Sequence, residues 1–188
     1  MNVSSSELAN IQSHEGLSLS PYYDEKGYSI GTGHFTGIAD IGDYSSFDAD
    51  LARHGIMSVN RVISVADATA LLQYDIQSAV DFVNANLKVP VSQTAFDALV
   101  DFEFGTGAAI HPIADINLKD YQSAANYIAS WVHDSNGNVI AKLVPLRNAT
   151  AQAVLADANY SEAGMNWIVK GIIILYVGRK ILNYLKNE

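Results

Sequence analysis

Residues 15–34 read EGLSLSPYYDEKGYSIGTGH. Two carboxylates, Glu15 and Asp24, stand nine positions apart, and a tyrosine-rich run ends in Gly31-Thr32-Gly33-His34. Turn formers alternating with Tyr22, Tyr23, Tyr28 and Ile30 predict short strands in a hairpin or small sheet. The stretch is therefore either an ordinary hairpin beneath a helix or the floor of an active site. Cleavage of a glycosidic bond needs a protonated acid near the leaving oxygen and a carboxylate that steadies charge or activates water. Glu15 falls at the end of a predicted helix, where burial would favour the protonated form, whereas Asp24 falls in a wet turn where ionisation is cheap. Ser29, alternating with Ile30, would aim its hydroxyl into the same space to hold a water. Surface hairpins also carry acids by chance, so the residues alone leave both readings standing.

The flanking segments supply the fold class. Ser4-Ser5-Ser6-Glu7 has capping-box spacing and opens a helix over 5–15. Residues 36–60, rich in Gly, Asp and Ser, show no clear period and read as an inserted loop or an extension of the small sheet. From Ser64, a capping box with Asp67 leads into Ala68, Leu71, Leu72, Ile76, Ala79, Val80 and Val83, which predicts one amphipathic helix of about five turns. Pro90 stops it, and Ser92 caps a second helix with Ala95, Phe96, Leu99 and Val100 inward, ended by Phe104-Gly105-Thr106-Gly107. A third helix is expected near 118–132, a turn at Asp134–Asn138, and a fourth helix over 145–156. The class is α+β: a small β-containing N-terminal lobe and a helical lobe, joined by the helix from Ser64, with the opening stretch flooring a cleft between them.

The chain has 188 residues, 49% of them apolar, and no cysteine. That length fits one domain with an appendage, and the absent thiols exclude a disulfide scaffold, a thiolate metal site and a cysteine nucleophile. No basic, then apolar, leader precedes residue 15, so no secretory signal is expected. Net charge is −9 overall, with −12 over residues 1–165 and +3 over the last 23. An acidic body disfavours nucleic acid, because neutralising phosphates needs clustered Lys and Arg. His14, Glu15 and His34 match no metal-ligand spacing, so no metal and no cofactor is expected. His34 is read instead as structural, paired with Asp75 on the long helix. Tyr22, Tyr23 and Tyr28 would either stack on sugar faces or pack in the sheet.

The opening stretch is similar to the N-terminal signature of phage-type lysozymes, glycoside hydrolase family 24. There a Glu-Gly-Leu precedes a Tyr, an Asp and a Gly-Tyr-x-x-Ile-Gly-x-Gly-His run. Lys88–Gln93 leading into Phe96–Val100 resembles a second block of that family, and Leu143-Val144 with Arg147 echoes its Arg-bearing C-terminal helix. The likeness covers roughly residues 5–156. It implies a lysozyme-like fold and hydrolysis of the β-1,4 bond between N-acetylmuramic acid and N-acetylglucosamine in peptidoglycan glycan strands. It implies Glu15 as catalytic acid, Asp24 as catalytic aspartate, Ser29 in the place of the family's threonine, and Tyr22, Tyr28 and Phe104 against substrate. Inversion at the anomeric carbon would follow, with carboxyl groups about 6.5–9.5 Å apart. The chain departs from the family at Ser29, at Gly105 where an Asn is usual, and in its acidic body. The alternative is a non-catalytic structural or wall-binding virion protein with a degenerate lysozyme-like domain.

Residues 166–188 read NWIVKGIIILYVGRKILNYLKNE. The 19 residues from Trp167 to Leu185 fall within the roughly 17–25 that span a bilayer, and Trp167, Tyr176 and Lys170 suit an interface. This apolar, basic helix is expected either to anchor in a lipid membrane or to pack on the domain or a virion protein. The organisation is thus a catalytic domain over 1–156 with 36–60 inserted, a linker over 157–165 and the tail. It suggests a virion-associated phage enzyme that opens the wall locally, acting in the host periplasm or cell wall.

Overall fold

The computed structural model describes residues 1–24, 27–39 and 42–160. The tail at 166–188 and most of the expected linker lie outside them. The described chain forms two compact units, one from residues 1–85 and 100–108, the other from 86–99 and 109 onward.

The first unit opens with α1 (Ser5–Glu15), whose first turn is capped by the Ser4 hydroxyl accepting from the Glu7 N–H at 3.1 Å. Its two buried residues, Leu8 and Ile11, sit three apart on one face. Gly16 ends it with φ +95°, and its N–H bonds the Gln12 carbonyl. Three antiparallel strands follow, β1 (Ser18–Asp24), β2 (Gly27–Gly31) and β3 (His34–Phe35), in the order β1-β2-β3. The edge strand β1 carries an irregularity between Ser18 and Tyr22, around Pro21, which has no N–H to give the ladder. The Leu19 carbonyl there accepts instead from Ile63 at 3.0 Å. Gly27 is needed because the chain crosses it closely: a Cβ there would lie 2.6 Å from the Ile38 carbonyl oxygen.

Residues 36–60 are more than a loop, for Tyr44–Arg53 form a helix, α2. Asp43 caps it by accepting from the Ser46 N–H, and Phe47 and Leu51, one turn apart, are fully buried. Two buried apolar residues among the described side chains of so short a helix are too few to display a period, which is why the helix is hard to see in the sequence. Phe47, Leu51 and Ile56 join Ile30, Ile38, Ile63, Ala68 and Leu71 in one core cluster.

Ser64 and Asp67 form the expected reciprocal capping box at the start of α3 (Val65–Asp75). The single five-turn helix is instead α3 followed by α4 (Gln77–Asn86), parted at Ile76. The hydrogen-bond ladder crosses the break, since Ile76 N–H bonds Leu72 and Val80 N–H bonds Ile76, so the apolar stripe continues through it. Helix α3 packs on α1, β2 and β3, and Gln12 of α1 donates to Thr69 at 3.0 Å.

Helix α5 (Gln93–Thr106) is divided between the units after Leu99. In the second unit Ser92 caps its start by accepting from Ala95, while the Ser92 N–H donates to the buried Asp157 at 2.9 Å. The expected inward residues Ala95, Phe96, Leu99 and Val100 are all buried. Gly107 closes the helix at φ +65°, its N–H on the Glu103 carbonyl. An unexpected shorter helix, α6 (Ile110–Asn117), precedes the helix expected near 118–132, which is α7 (Tyr121–Ser130), and packs on it, with Lys119 left-handed between them. Pro112 is tolerated in α6 because it lies in the first turn, where N–H groups lack helical partners. Asp134 makes the expected turn, accepting from the Asn136 and Asn138 N–H groups. A final helix, α8, runs over residues 143–160, so residues 157–160 are helical and Asp157 is built into the second unit.

Candidate active site

The two-residue period of a strand decides which side chains of the opening stretch meet. Tyr22 pairs with Ser29 and Asp24 with Gly27, so Tyr22, Ser29 and Asp24 share one face. On that face the fully buried Ser29 hydroxyl donates to Asp24 Oδ2 at 2.5 Å. Tyr23 and Tyr28 occupy the other face as an edge-to-face pair with centroids 5.3 Å apart, and Tyr28 packs against the core cluster. Burial pushes the Tyr22 phenol up, and the nearby charges of Asp24 and Glu15 push it the same way. Tyr22 is therefore the side chain that stands among Glu15, Asp24 and Ser29, while Tyr28 lies on the opposite face from them.

Glu15 occupies the last position of α1. The burial expected for it is not found: its side chain keeps 48% of its exposure, because Gly16 turns the chain away and adds no cover. Its neighbour is His14, whose Nδ1 lies 3.5 Å from Glu15 Oε1 and whose Nε2 lies 3.2 Å from Asp101 Oδ1. The Asp101 carboxylate holds the His14 imidazole above its ordinary value against the opposing effect of burial, with Glu15 and Glu7 adding to it. Asp101 faces His14 from α5 and is itself buried. Sequence reasoning missed it, though Asp97 and Asp101 at helical spacing within an apolar run were the available signal. Phe104, on the last turn of α5, is half-buried, and Arg147 of α8 is buried in the second unit.

His34 meets its expected partner. Its Nδ1 lies 2.9 Å and 3.0 Å from the two Asp75 oxygens. The unexpected partner is Asp50 of α2, whose Oδ2 lies 3.1 Å from His34 Nε2. Burial by itself lowers the His34 imidazole, and the two carboxylates more than reverse this, so it is raised. Arg53 in turn ion-pairs with Asp50 Oδ1. Gly31 and Gly33, both at positive φ, make the tight turn that brings His34 back under α3.

With this geometry in hand, comparison with known proteins is specific. A family model described as phage lysozyme matches residues 12–150. The chain belongs to the phage lysozyme family. Phage lysozyme relatives include the endolysin of Bacillus phage B103, 34% identical over 154 residues, which are 78% of this chain and 51% of that protein. The endolysin of Salmonella phage P22 is 29% identical over 136 residues, 70% of this chain and 84% of that protein. The chain thus spans about half the length of the first relative and most of the second. Among solved structures, a mutant P22 lysozyme superposes with TM-score 0.63 at 24% identity, covering 82% of this chain and 99% of that one. The muramidase domain of SpmX from Asticaccaulis excentricus gives 0.62 at 26%, covering 82% and 97%. The α+β, lysozyme-like fold is accordingly the fold of this phage lysozyme family member.

Two outcomes follow from the histidines. Replacing His34 by Asn takes away the group that joins Asp50 to Asp75 and leaves only Arg53, on the Asp50 side, to offset the two carboxylates. Chemical denaturation should show a loss of about 3–5 kcal/mol, while turnover by the folded protein falls by less than about tenfold; the reverse ordering would refute a structural role. For His14, whose imidazole is raised above 6.5 on folding, the stabilisation is fully present below pH 6.5 and is lost as pH rises through the folded value. The stability advantage of wild type over Asp101→Asn, followed by thermal unfolding from about pH 5 to about pH 9, should therefore narrow as pH rises.

Proposed function

We propose that this chain is a peptidoglycan hydrolase that cuts the β-1,4 bond between N-acetylmuramic acid and N-acetylglucosamine. The observation that carries this reading is the Ser29–Asp24 hydrogen bond on the same strand face as Tyr22, with Glu15 at the adjoining helix end. Family membership and the endolysin relatives support the reaction class.

In the proposed reaction Glu15 protonates the leaving oxygen. Because Glu15 is half exposed, the water exclusion that favours its neutral form would come from the bound glycan covering it. Asp24 activates water or steadies the positive charge of the transition state. Ser29 is fully buried, so its task is positioning: its O–H fixes one Asp24 oxygen. Serine lacks the methyl that stiffens χ1 of threonine, and the 2.5 Å hydrogen bond supplies that restraint instead. Tyr22 presents its ring and hydroxyl beside both acids, which suits a sugar face. The scheme needs no metal and no cofactor.

The tail adds a proposal about delivery that rests on its sequence alone. An apolar, basic segment over 166–188 suits retention in a virion or a membrane, so the enzyme would open the wall locally rather than only at lysis.

A zymogram on purified peptidoglycan tests the activity. Wild type should clear, and Glu15→Gln should lose about 10²–10⁴-fold of the rate. No clearing by wild type would favour the non-catalytic, wall-binding role, and clearing by both proteins would remove Glu15 from the mechanism. Delivery is checked on purified virions, which should release the protein only with detergent; its presence solely in free host lysate would count against retention.

A further inference from the structure

Beside the clamp on His34 the first unit holds a cavity of about 530 Å³, lined by His34, Asp50, His54, Tyr74 and Asp75 among others. Nothing in the proposed hydrolysis uses it. One ligating atom from each of His34, Asp50 and His54 lies within 4.8 Å of the other two. Asp50 and His54 are four apart, Asp50 in the last turn of α2 and His54 at its C-cap. That spacing puts both on one side of a helix end, the geometry in which helices commonly present metal ligands.

The geometry points to a divalent cation of the zinc class bound by His34 Nε2, Asp50 Oδ2 and a ring nitrogen of His54, pinning α2 to β3. Three observations carry it. First, His34 Nε2 and Asp50 Oδ2 are already 3.1 Å apart, and tetrahedral zinc with bonds of about 2.0–2.1 Å sets its ligands about 3.3–3.5 Å apart. The cation would sit where a shared proton now joins the two. Second, each of these ligands is oriented from behind. Asp75 holds His34 Nδ1, making the carboxylate–histidine arrangement that fixes a ligating imidazole, and Arg53 holds the other Asp50 oxygen. Third, His54 is placed but not used. Its ring stands edge-on to His34 at 5.0 Å and to Tyr74 at 4.3 Å. Its nitrogens make no hydrogen bond or ion pair among the described residues. A half-buried imidazole with idle nitrogens, facing a buried His–Asp pair across a cavity, completes a three-ligand set. The cavity leaves room for water as the fourth ligand, as in sites with three protein ligands.

The set is nitrogen and oxygen without sulfur, which suits zinc over soft copper(I), and its histidines disfavour calcium and magnesium, which take oxygen ligands. Because α2 and β3 are joined in sequence by a turn-rich segment, a cation bridging them would add its binding energy to folding.

The test uses tag-free full-length protein stripped with chelator. Zn²⁺ at about a hundredfold excess over its Kd should raise Tm by about 5–10 °C, reversed by EDTA, with a stoichiometry of one by calorimetry. Co²⁺ in its place should give the intense visible bands of a four-coordinate site. His54→Ala, which breaks none of the His34 ion pairs, should keep the metal-free Tm and wall-clearing activity but lose the Zn²⁺ response. A His111→Ala/His133→Ala double variant should retain it. No Tm shift and no Co²⁺ spectrum in wild type would overturn the site, as would a response that survives in His54→Ala or vanishes in the double variant.

Discussion

A buried imidazole between two carboxylates organises the first unit. His34 arrives on a two-residue strand, Asp50 on α2 and Asp75 at the end of α3, and the imidazole ties those three elements at one point. The arrangement is costly to assemble, since His34 and Asp50 keep only 6% and 8% of their side-chain exposure. Charges taken from water regain that cost only when geometry and hydrogen bonding are good. Here they are, because Arg53 and the imidazolium together offset the two acids. The Gly31-Thr32-Gly33 turn exists to make this meeting possible: without positive φ at its glycines the strand pair could not reverse within two residues.

The same sheet keeps the chemistry separate from the clamp. Strand periodicity sends Ser29 and Ile30 to opposite faces, so one residue orders Asp24 while its neighbour enters the core. The proposed catalytic face is then finished by α1, which ends at Glu15 because Gly16 takes φ +95°. Three aspartates near this unit's polar groups thus have three different tasks. Asp24 accepts from a hydroxyl and faces the proposed substrate, Asp75 holds a histidine, and Asp101 charges His14 beside the acid. Environment assigns those tasks, since the side chains are identical.

Much of this was legible in the residues. The cap at Ser64, the strands over 18–35 and the His34–Asp75 contact all rest on local signals: capping geometry, glycine turns, and a polar residue placed on an apolar stripe. What escaped has a common physical cause. Helix α2 shows two buried apolar residues among its described side chains, α6 is only about two turns long, and neither is long enough for periodicity to rise above composition. Asp50 and His54 were lost with α2, because an i,i+4 pair is visible only once the segment is known to be helical. Glu15's exposure was lost for another reason: cover over a helix end depends on what lies across from it, which no local pattern encodes.

Ser29 shows how a departure from a family pattern can be compensated within its own site. Threonine restrains its hydroxyl by branching at Cβ, an intramolecular restraint that costs nothing in packing. Serine has three open rotamers, and a buried hydroxyl that wandered among them would leave Asp24 with a variable partner. In this chain the short hydrogen bond selects one rotamer, and the complete burial of Ser29 removes competing water. The restraint has moved from the covalent frame to the hydrogen bond, so the order of Ser29 and that of Asp24 become one quantity. In the proposed hydrolysis, a carboxylate held this way would be positioned before substrate arrives, which is where preorganisation is most useful to catalysis.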